Sequence, residues 1–390
     1  MIFKEIQYWK KSMTEHEYSE AVKVLIYLCS CAINGQKPEN KRIASVDLQN
    51  LFDVSHEHML SSICGKMLEN EGIRNPSFKN AVAMAQRRAV ILDNDFSLVA
   101  SAFETAGIWY MPIKGVVMKD MYPEFAMREM ADYDVLFDSS RAEEVRVIME
   151  GIGFKTESYG HQNVDDYRKP PVSNFEMHRT LFGKQHDEKL YEYYKDVKAR
   201  LILDSDCKYK FTPEDFYVYI IAHEYKHYSV YGTGLRSLLD TYVFLQKNNL
   251  DMGYVTTETE KLGIGEFERQ NRSLALSLFD KNALTEENKQ MLSYILASGT
   301  YGKFNHSVEN MLKRDGDGKL EYLRRRILGP LKKNDVDRKR FKERYATFFK
   351  YPILLPFLPF YRLFRALKKR PNRIKAEVNA LRMAKTGKTM

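Results

Sequence analysis

The sequence contains few cysteines, few tryptophans and no long apolar run. Four of its 390 residues are cysteine and two are tryptophan. The cysteines show neither a pairing pattern nor the spacing of a metal site, so we expect reduced thiols and no disulfide framework. No stretch approaches the roughly 20 apolar residues that a spanning helix needs, and the N-terminus lacks the apolar core of a signal peptide. Together these absences predict a cytoplasmic protein.

Positive charge is concentrated at the C-terminal end of the chain. Residues 361–390 contain ten Lys or Arg and one acid, and residues 319–350 contain twelve Lys or Arg and four acids. These two segments therefore carry +17, whereas the whole chain carries +9. Residues 1–318 are left with a net charge of −8, so the body is mildly acidic and the basic character belongs to the tail.

The tail also contains an aromatic segment. Residues 348–360 are strongly apolar but are interrupted by three prolines, so they cannot form one helix that crosses a bilayer. Basic residues follow, as is typical of a segment that lies in the membrane interface and meets anionic lipids. We expect either contact of residues 348–390 with the inner face of a membrane or an apolar strap packed on the body. The chain has no recognised nucleic-acid module, so nucleic acid is not an expected partner.

The spacing of apolar residues predicts helices over most of the chain and strands only near its middle. Asp315-Gly316-Asp317-Gly318 is the clearest linker signal. The predicted parts are a helical N-terminal region (1–106), an α/β core (107–205), a helical bundle (206–318) and a basic, aromatic and proline-containing tail (319–390).

The predicted core alternates strands and helices. Strand-type runs occupy residues 108–113, 135–137 and 174–178, with helices predicted at 116–121 and 141–149. Residues 155–172, before the last strand, are polar and contain proline. This pattern predicts one small α/β unit within an α+β protein.

Two aspartates enter the second predicted strand. Asp132 and Asp134 are two residues apart, so on a strand they face the same way about 7 Å apart. A hard cation such as Mg2+ prefers oxygen ligands and keeps water and substrate phosphates in its remaining positions. The pair is therefore typical of a phosphate-transfer site.

Further motifs occur in a fixed order around these aspartates. They are Lys114-Gly115, Tyr122-Pro123, Arg128, Asp132-Tyr133-Asp134, Glu176-Met177-His178, then His223, Lys226 and His227, Gly234-Leu235-Arg236 and Asp240. Over residues 55–250 they resemble the uncharacterised nucleotidyltransferase family of the polymerase-β-like superfamily. The resemblance implies a small mixed-sheet nucleotidyltransferase core flanked by N-terminal and C-terminal helical regions.

The resemblance also implies a reaction. A nucleoside monophosphate would pass from a nucleoside triphosphate to a hydroxyl acceptor, and pyrophosphate would leave. Asp132, Asp134 and Glu176 are the implied catalytic and metal-binding residues, and they would hold two Mg2+ ions, with Mn2+ as the alternative. The acceptor stays open among a sugar, a lipid-linked glycan, a small molecule and a protein.

Other residues are expected to contact the substrates. Lys114, Gly115 and Arg128 would bind the nucleotide. The superfamily usually has Gly-Ser or Gly-Gly where this chain has Lys114-Gly115, and a lysine there can supply positive charge to a phosphate. The remaining candidates for substrate contact are His178, His223, His227 and Arg236.

A competing pattern lies at residues 223–227, whose sequence HEYKH fits the H-E-x-x-H motif of zinc peptidases. Both imidazoles would lie on one helix face, with Glu224 able to activate a zinc-bound water. Lys226 inside the motif and the absence of a third ligand at a familiar spacing count against zinc. A second alternative is a non-catalytic nucleotide-binding or assembly protein.

Overall fold

The computed structural model describes residues 13–184, 187–299, 342 and 345–369. Its described part contains fifteen α-helices and one seven-stranded mixed sheet, which confirms the predicted α+β class. No helix in this part is both long and apolar enough to cross a membrane. The linker predicted at 315–318 lies outside the described residues. The chain divides into two compact units, residues 1–226 with 233–300 and residues 227–232 with 301–390.

Residues 13–106 are mostly helical, and polar residues or glycine cap the two longest of these helices. The helices are α1 (Glu15–Ile33), α2 (Asn40–Ile43), α3 (Leu48–Glu57), α4 (Ser61–Asn70) and α5 (Pro76–Ala106). Thr14 and Glu17 cap α1 reciprocally through side chain and backbone. Asn75 caps α5, and Gly107 ends it at φ 65°.

A mixed sheet follows α5. Its elements in chain order are β1 (Tyr110–Pro112), α6 (Gly115–Met118), β2 (Tyr133–Phe137), α7 (Ala142–Gly151), β3 (Lys155–Ser158), β4 (Val164–Lys169), β5 (Ser173–His178), α8 (Glu188–Tyr194), β6 (Ile202–Ser205) and β7 (Lys208–Lys210). The strand order is β3-β4-β5-β2-β1-β7-β6. Strand β1 is parallel to β7 and β2 is parallel to β5, whereas the other neighbours are antiparallel.

The sheet is larger than the sequence predicts. Strands β1, β2 and β5 confirm the three predicted strands, but the polar segment 155–172 forms β3 and β4 at one edge of the sheet. Polar and charged side chains are typical of such edges. Strands β6 and β7, at the other edge, were also missed, and all four residues of β6 are exposed. Apolar periodicity therefore gave no signal at either edge.

Side chains along β2 face the hydrophobic core and the opposite side of the sheet in turn. Alternate residues from Tyr133 to Phe137 pack into a hydrophobic core that includes residues of α5. Asp134 lies between them and points to the opposite face, since successive strand residues face opposite sides. In the parallel pairing, Asp134 lies opposite Glu176 of β5, and His178 follows two residues later on the same face.

A helical bundle follows the sheet in the chain. Its helices are α9 (Pro213–Tyr228), α10 (Leu235–Lys247), α11 (Met252–Leu262), α12 (Gly265–Phe279) and α13 (Glu286–Ser298). They confirm the helices predicted up to residue 299, and the helix predicted at 303–314 lies outside the described residues. The hydroxyl of Thr212 accepts a hydrogen bond from the backbone N–H of Asp215 at the start of α9. Helix α12 packs between α10 and α13.

The second unit is described over the aromatic segment of the tail. Helix α14 (Ala346–Lys350) is followed by a 3-10 segment (Pro352–Phe357) and by α15 (Leu358–Lys369). Pro356 lies inside the 3-10 segment, so the apolar residues do not form one continuous helix, as predicted. Ile353, Phe357 and Phe360 are exposed within this segment.

Candidate active site

Two acids and one histidine converge on the face of the sheet opposite the core. One ligand atom from each of Asp134, Glu176 and His178 lies within 4.8 Å of the others. Nε2 of His178 is 2.8 Å from Oδ1 of Asp134 and 3.7 Å from Oε2 of Glu176. Across the described residues this is the one such group of three His, Cys, Asp or Glu side chains. Asp134 and His178 are buried, whereas the side chain of Glu176 is 30% exposed and reaches solvent.

Lys114 places its ammonium group among these three side chains. Its Nζ lies 2.6 Å from Oδ1 of Asp134, 3.4 Å from Nε2 of His178 and 3.7 Å from Oε2 of Glu176. The backbone N–H of Ile113 donates a 3.1 Å hydrogen bond to the carbonyl oxygen of Asp134, which ties the turn after β1 to β2. The lysine predicted to bind phosphate is thus salt-bridged to a carboxylate of the site.

Burial and charge shift the pKa values of this group in different directions. Burial and the carboxylate of Asp134 raise the pKa of Glu176 to about 8. Burial also opposes the charge on Asp134, but Lys114 and the hydrogen bond from His178 hold the pKa of Asp134 well below its usual range. Burial and the charge of Lys114 lower the pKa of His178 to about 4. Near pH 7, Asp134 is therefore the permanent anion, His178 is neutral, and Glu176 is the group that titrates.

Asp132 lies immediately before β2, outside the group of three ligand atoms. Burial and the charge of Asp134 raise the pKa of Asp132 to about 6, and the charge of Asp132 in turn raises the pKa of Glu176. The three predicted carboxylates therefore share one region. Within it the closest group is formed by Asp134 and Glu176 with His178, not with Asp132.

Arg128 binds a carboxylate of the helical bundle. Its Nε and Nη2 each donate a 2.8 Å hydrogen bond to Asp240 of α10, and the hydroxyl of Tyr122 donates to the same carboxylate. The guanidinium group also packs on Gly115, where a Cβ atom would lie 2.5 Å from Nη1 of Arg128. Arg128 therefore fixes the turn that contains Gly115 relative to α10.

Arg236 does not form the pair with Asp240 that their spacing of one helical turn suggests. Its Nη1 donates a 3.2 Å hydrogen bond to the carbonyl oxygen of Glu129. Burial and the charge of Arg128 lower the pKa of Arg236. Arg236 therefore supports the loop next to Arg128 and is not a member of the convergent group.

Helix α9 contributes side chains near the convergent group. Burial raises the pKa of Tyr219, and the charges of Lys114 and Asp134 act on the same phenol, so it lies near the group. Burial and the charge of Lys114 lower the pKa of Lys226. The ring of His223 lies 6.3 Å from that of Tyr219. Sequence reasoning missed Tyr219, although its spacing from His223 and Lys226 places all three on one helix face.

The HEYKH segment gains no support as a zinc site. Within the described part of the chain, none of its residues joins a group of three metal-ligand side chains. Glu224 lies beside Asn271 of α12, and burial raises the pKa of Glu224 to about 8. His223 lies on the face of α9 that carries Tyr219, and His227 belongs to the second unit.

The convergent side chains fit a divalent cation. Asp134 and Glu176 supply hard oxygen ligands, which suit Mg2+ and Mn2+, and the neutral imidazole of His178 offers a nitrogen, a ligand more typical of transition metals than of Mg2+. Burial, and then the charge of Asp134, raise the pKa values of Asp132 and Glu176, and a bound cation would stabilise the charged form of both carboxyl groups. Lys114 already places one positive charge there.

The family assignment agrees with this site. The sequence profile described as uncharacterised nucleotidyltransferase matches residues 44–280, which include the whole sheet, the convergent group and helices α9 to α12. The chain belongs to this family, and its general class is that of a transferase that uses a nucleotide substrate. No curated protein and no solved structure matches the chain.

Proposed function

We propose that this protein transfers a nucleoside monophosphate from a nucleoside triphosphate to a hydroxyl acceptor, with a polymerase-β-like core as its catalytic part. The observation that carries the proposal is the convergence of Asp134, Glu176 and His178 within 4.8 Å. This convergence lies inside the region that matches the nucleotidyltransferase family.

The protein would bind two divalent cations, Mg2+ or Mn2+, at these side chains. Asp134, Glu176 and His178 would hold one, and Asp132 with Asp134 would complete the second. Bound there, the cations would neutralise the phosphates and stabilise the attacking and leaving oxygens of an in-line displacement. Positioning and proton transfer fall to the residues of the chain.

The reaction forms one bond and breaks one. The acceptor oxygen bonds to the α-phosphorus while the bond to the bridging oxygen of the β-phosphate breaks, and pyrophosphate leaves with that electron pair. Glu176 reaches solvent, which would allow its carboxylate to face the acceptor hydroxyl and take its proton. Lys114 supplies positive charge to the phosphates, and Arg128 holds the turn at Gly115 through Asp240.

The test incubates the purified full chain and a cell extract with each α-labelled nucleoside triphosphate and Mg2+ or Mn2+. The extract supplies the acceptor, whether a sugar, a lipid-linked glycan, a small molecule or a protein. We expect label transfer and pyrophosphate release, reduced on the order of 100-fold or more by Asp134→Asn and Glu176→Gln. Glu157→Gln, at an exposed acid of β3, is the matched control.

The outcomes separate the candidate functions. Binding of nucleotide without transfer under any condition would contradict the enzyme and favour the nucleotide-binding or assembly protein. Peptide hydrolysis that depends on zinc and His223, and not on Asp134, would favour the peptidase.

We also propose that the second unit contacts an anionic membrane, which would make the protein peripheral at the inner face. Phe360 and Phe364 lie one turn apart on α15 and are 73% and 68% exposed. Arg362 and Arg365 occupy other positions around the same helix. Aromatic residues on one face with basic residues on another are typical of a helix that lies in the interface.

Vesicle co-sedimentation tests the membrane contact with the full chain. We expect binding to vesicles that contain phosphatidylglycerol and little binding to phosphatidylcholine alone. The double substitution Phe360→Glu and Phe364→Glu should weaken binding about tenfold, because it puts charge on the apolar face. Phe125→Glu, at an exposed phenylalanine of the first unit, is the control. Equal binding by the wild type and the double variant would rule the contact out.

A further inference from the structure

The ammonium group of Lys114 lies where a cation held by the three convergent side chains would lie. Its Nζ is 2.6 Å from Asp134, 3.4 Å from His178 and 3.7 Å from Glu176, and the three ligand atoms are within 4.8 Å of one another. The chain thus supplies its own positive charge at the point on which the ligands converge.

The backbone at Lys114 is strained in a way that maintains this placement. Lys114 has φ 55° and ψ −126°, a conformation that glycine adopts readily and lysine rarely does. Such strain persists only where the surrounding structure fixes it. The salt bridge to Asp134 and the hydrogen bond from Ile113 to the carbonyl oxygen of Asp134 hold this segment against β2. The carbonyl oxygen of Lys114 also accepts hydrogen bonds from the backbone N–H groups of Val117 and Met118. Glycine would relieve the strain, but it would deliver no charge.

A lysine and a divalent cation cannot share this position. At separations of about 4 Å, the repulsion between a single and a double positive charge exceeds thermal energy several-fold, even with the screening of a protein surface. The ammonium group sits on a flexible four-carbon stem and can leave by side-chain rotation alone. Once displaced, it needs another anion nearby.

Building on the proposed function, we propose that Lys114 is a resident counter-cation, which a divalent metal displaces and which then binds the triphosphate of the nucleotide. A free metal ion displaces the ammonium group of Lys114 from Asp134 and leaves it without an anion to bind. A metal–nucleotide complex displaces it in the same way, but its triphosphate can bind the ammonium group. Metal and nucleotide therefore bind cooperatively, and each raises the affinity for the other by the same factor.

The test measures Mn2+ binding by electron paramagnetic resonance, without any reaction. In the absence of nucleotide, Lys114→Met is expected to bind Mn2+ about tenfold more tightly than the wild type, which corresponds to about 1.4 kcal/mol. Lys119→Met is the matched control, because Lys119 pairs with Asp93 and is expected to leave the Mn2+ affinity unchanged. Lys114→Gly removes the same charge without backbone strain, so a result is obtained even if the methionine variant folds poorly.

A second measurement adds nucleoside triphosphate analogues that carry a methylene group between the α- and β-phosphates, one for each base. The analogue that binds should raise the Mn2+ affinity of the wild type, and most of this rise should be lost in both Lys114 variants. An Mn2+ affinity that is unchanged or weaker in both variants would contradict the role of Lys114 as a counter-cation. Tighter Mn2+ binding with an undiminished effect of the analogue overturns the transfer of Lys114 to the triphosphate.

These results are independent of turnover. A protein that transfers no label, yet shows the tighter Mn2+ binding of both variants, contradicts the proposed reaction and retains the counter-cation. If the protein transfers label and both variants have unchanged Mn2+ affinity, the proposed reaction is supported and the counter-cation role of Lys114 is contradicted.

Discussion

Arg128 and Asp240 face each other through two 2.8 Å hydrogen bonds across 112 residues of sequence. Both side chains are largely shielded from solvent, and removing one member of such a pair leaves an uncompensated charge, at a cost of about 3–5 kcal/mol. We therefore expect Asp240→Asn to lower the free energy of unfolding by roughly 3 kcal/mol in urea titrations. The double variant Arg128→Met with Asp240→Leu should recover part of the loss. Equal losses in the single and double variants would contradict this account of the pair.

Gly115 is the second contact of Arg128. An added Cβ would lie 2.5 Å from Nη1 of the guanidinium, so Gly115→Ala should push Arg128 away and cost about 1–3 kcal/mol of unfolding free energy. Transfer activity should fall with it, because the turn also carries Lys114. Gly151→Ala is the control, since a Cβ there meets no atom within 4 Å. Calorimetric melting of both variants checks the difference, and matching melting curves would mean that the turn adapts freely.

Metal binding should release protons near pH 7. Glu176 has a pKa raised to about 8 by burial and by Asp134, so it is largely protonated at pH 7, whereas a metal requires the carboxylate. We expect close to one proton released per metal at pH 7 and far less at pH 9, with affinity rising between them. Calorimetry in buffers of different ionisation enthalpy measures this number. Glu176→Gln should abolish the release, and a wild type that releases none would count against Glu176 as a ligand.

Glu224 should make the protein less stable at alkaline pH. Burial raises its pKa to about 8 from an ordinary value of 4.5. A raised pKa in the folded state means that stability is full below the unfolded value and is lost as the pH rises to the folded value. Between pH 6 and pH 9 the loss is on the order of 2–3 kcal/mol.

The substitution Glu224→Gln isolates this effect. Urea unfolding at the two pH values should show a smaller loss in the variant than in the wild type, because the amide does not ionise. Glu287→Gln, at an exposed acid of α13, should keep the wild-type loss. If Glu224→Gln loses as much stability as the wild type, another group is responsible.

Local sequence signals were sufficient for the central elements of the fold. Apolar residues at helical spacing predicted α1 and α5, the change of pattern after Gly107 agrees with the end of α5, and the Asp132-Tyr133-Asp134 motif located β2. The missed strands β3, β4, β6 and β7 are mostly polar, and the two apolar residues of β6, Ile202 and Leu203, are exposed. They carry no apolar alternation, and only their pairing with neighbouring strands makes them strands.

The partners of the charged residues could not be predicted from spacing. Arg236 and Asp240 are one helical turn apart, a spacing that suggests a local pair. Asp240 instead pairs with Arg128, because α10 packs near the loop that carries Arg128. The position of His178 beside Asp134 depends on the register of β2 against β5. Whether each residue binds nucleotide, metal or acceptor stays a prediction for the experiments above.

The parallel pairing of β2 with β5 has a consequence for how the protein folds. His178 and Asp134 are 44 residues apart, so their meeting requires closure of a long loop, which is slow compared with the formation of local helices. We therefore expect the ligand group to be assembled late in folding. Mn2+ added during refolding should leave the folding rate unchanged and should slow unfolding, as expected for contacts that are absent from the transition state. Stopped-flow kinetics with and without Mn2+ would measure both rates.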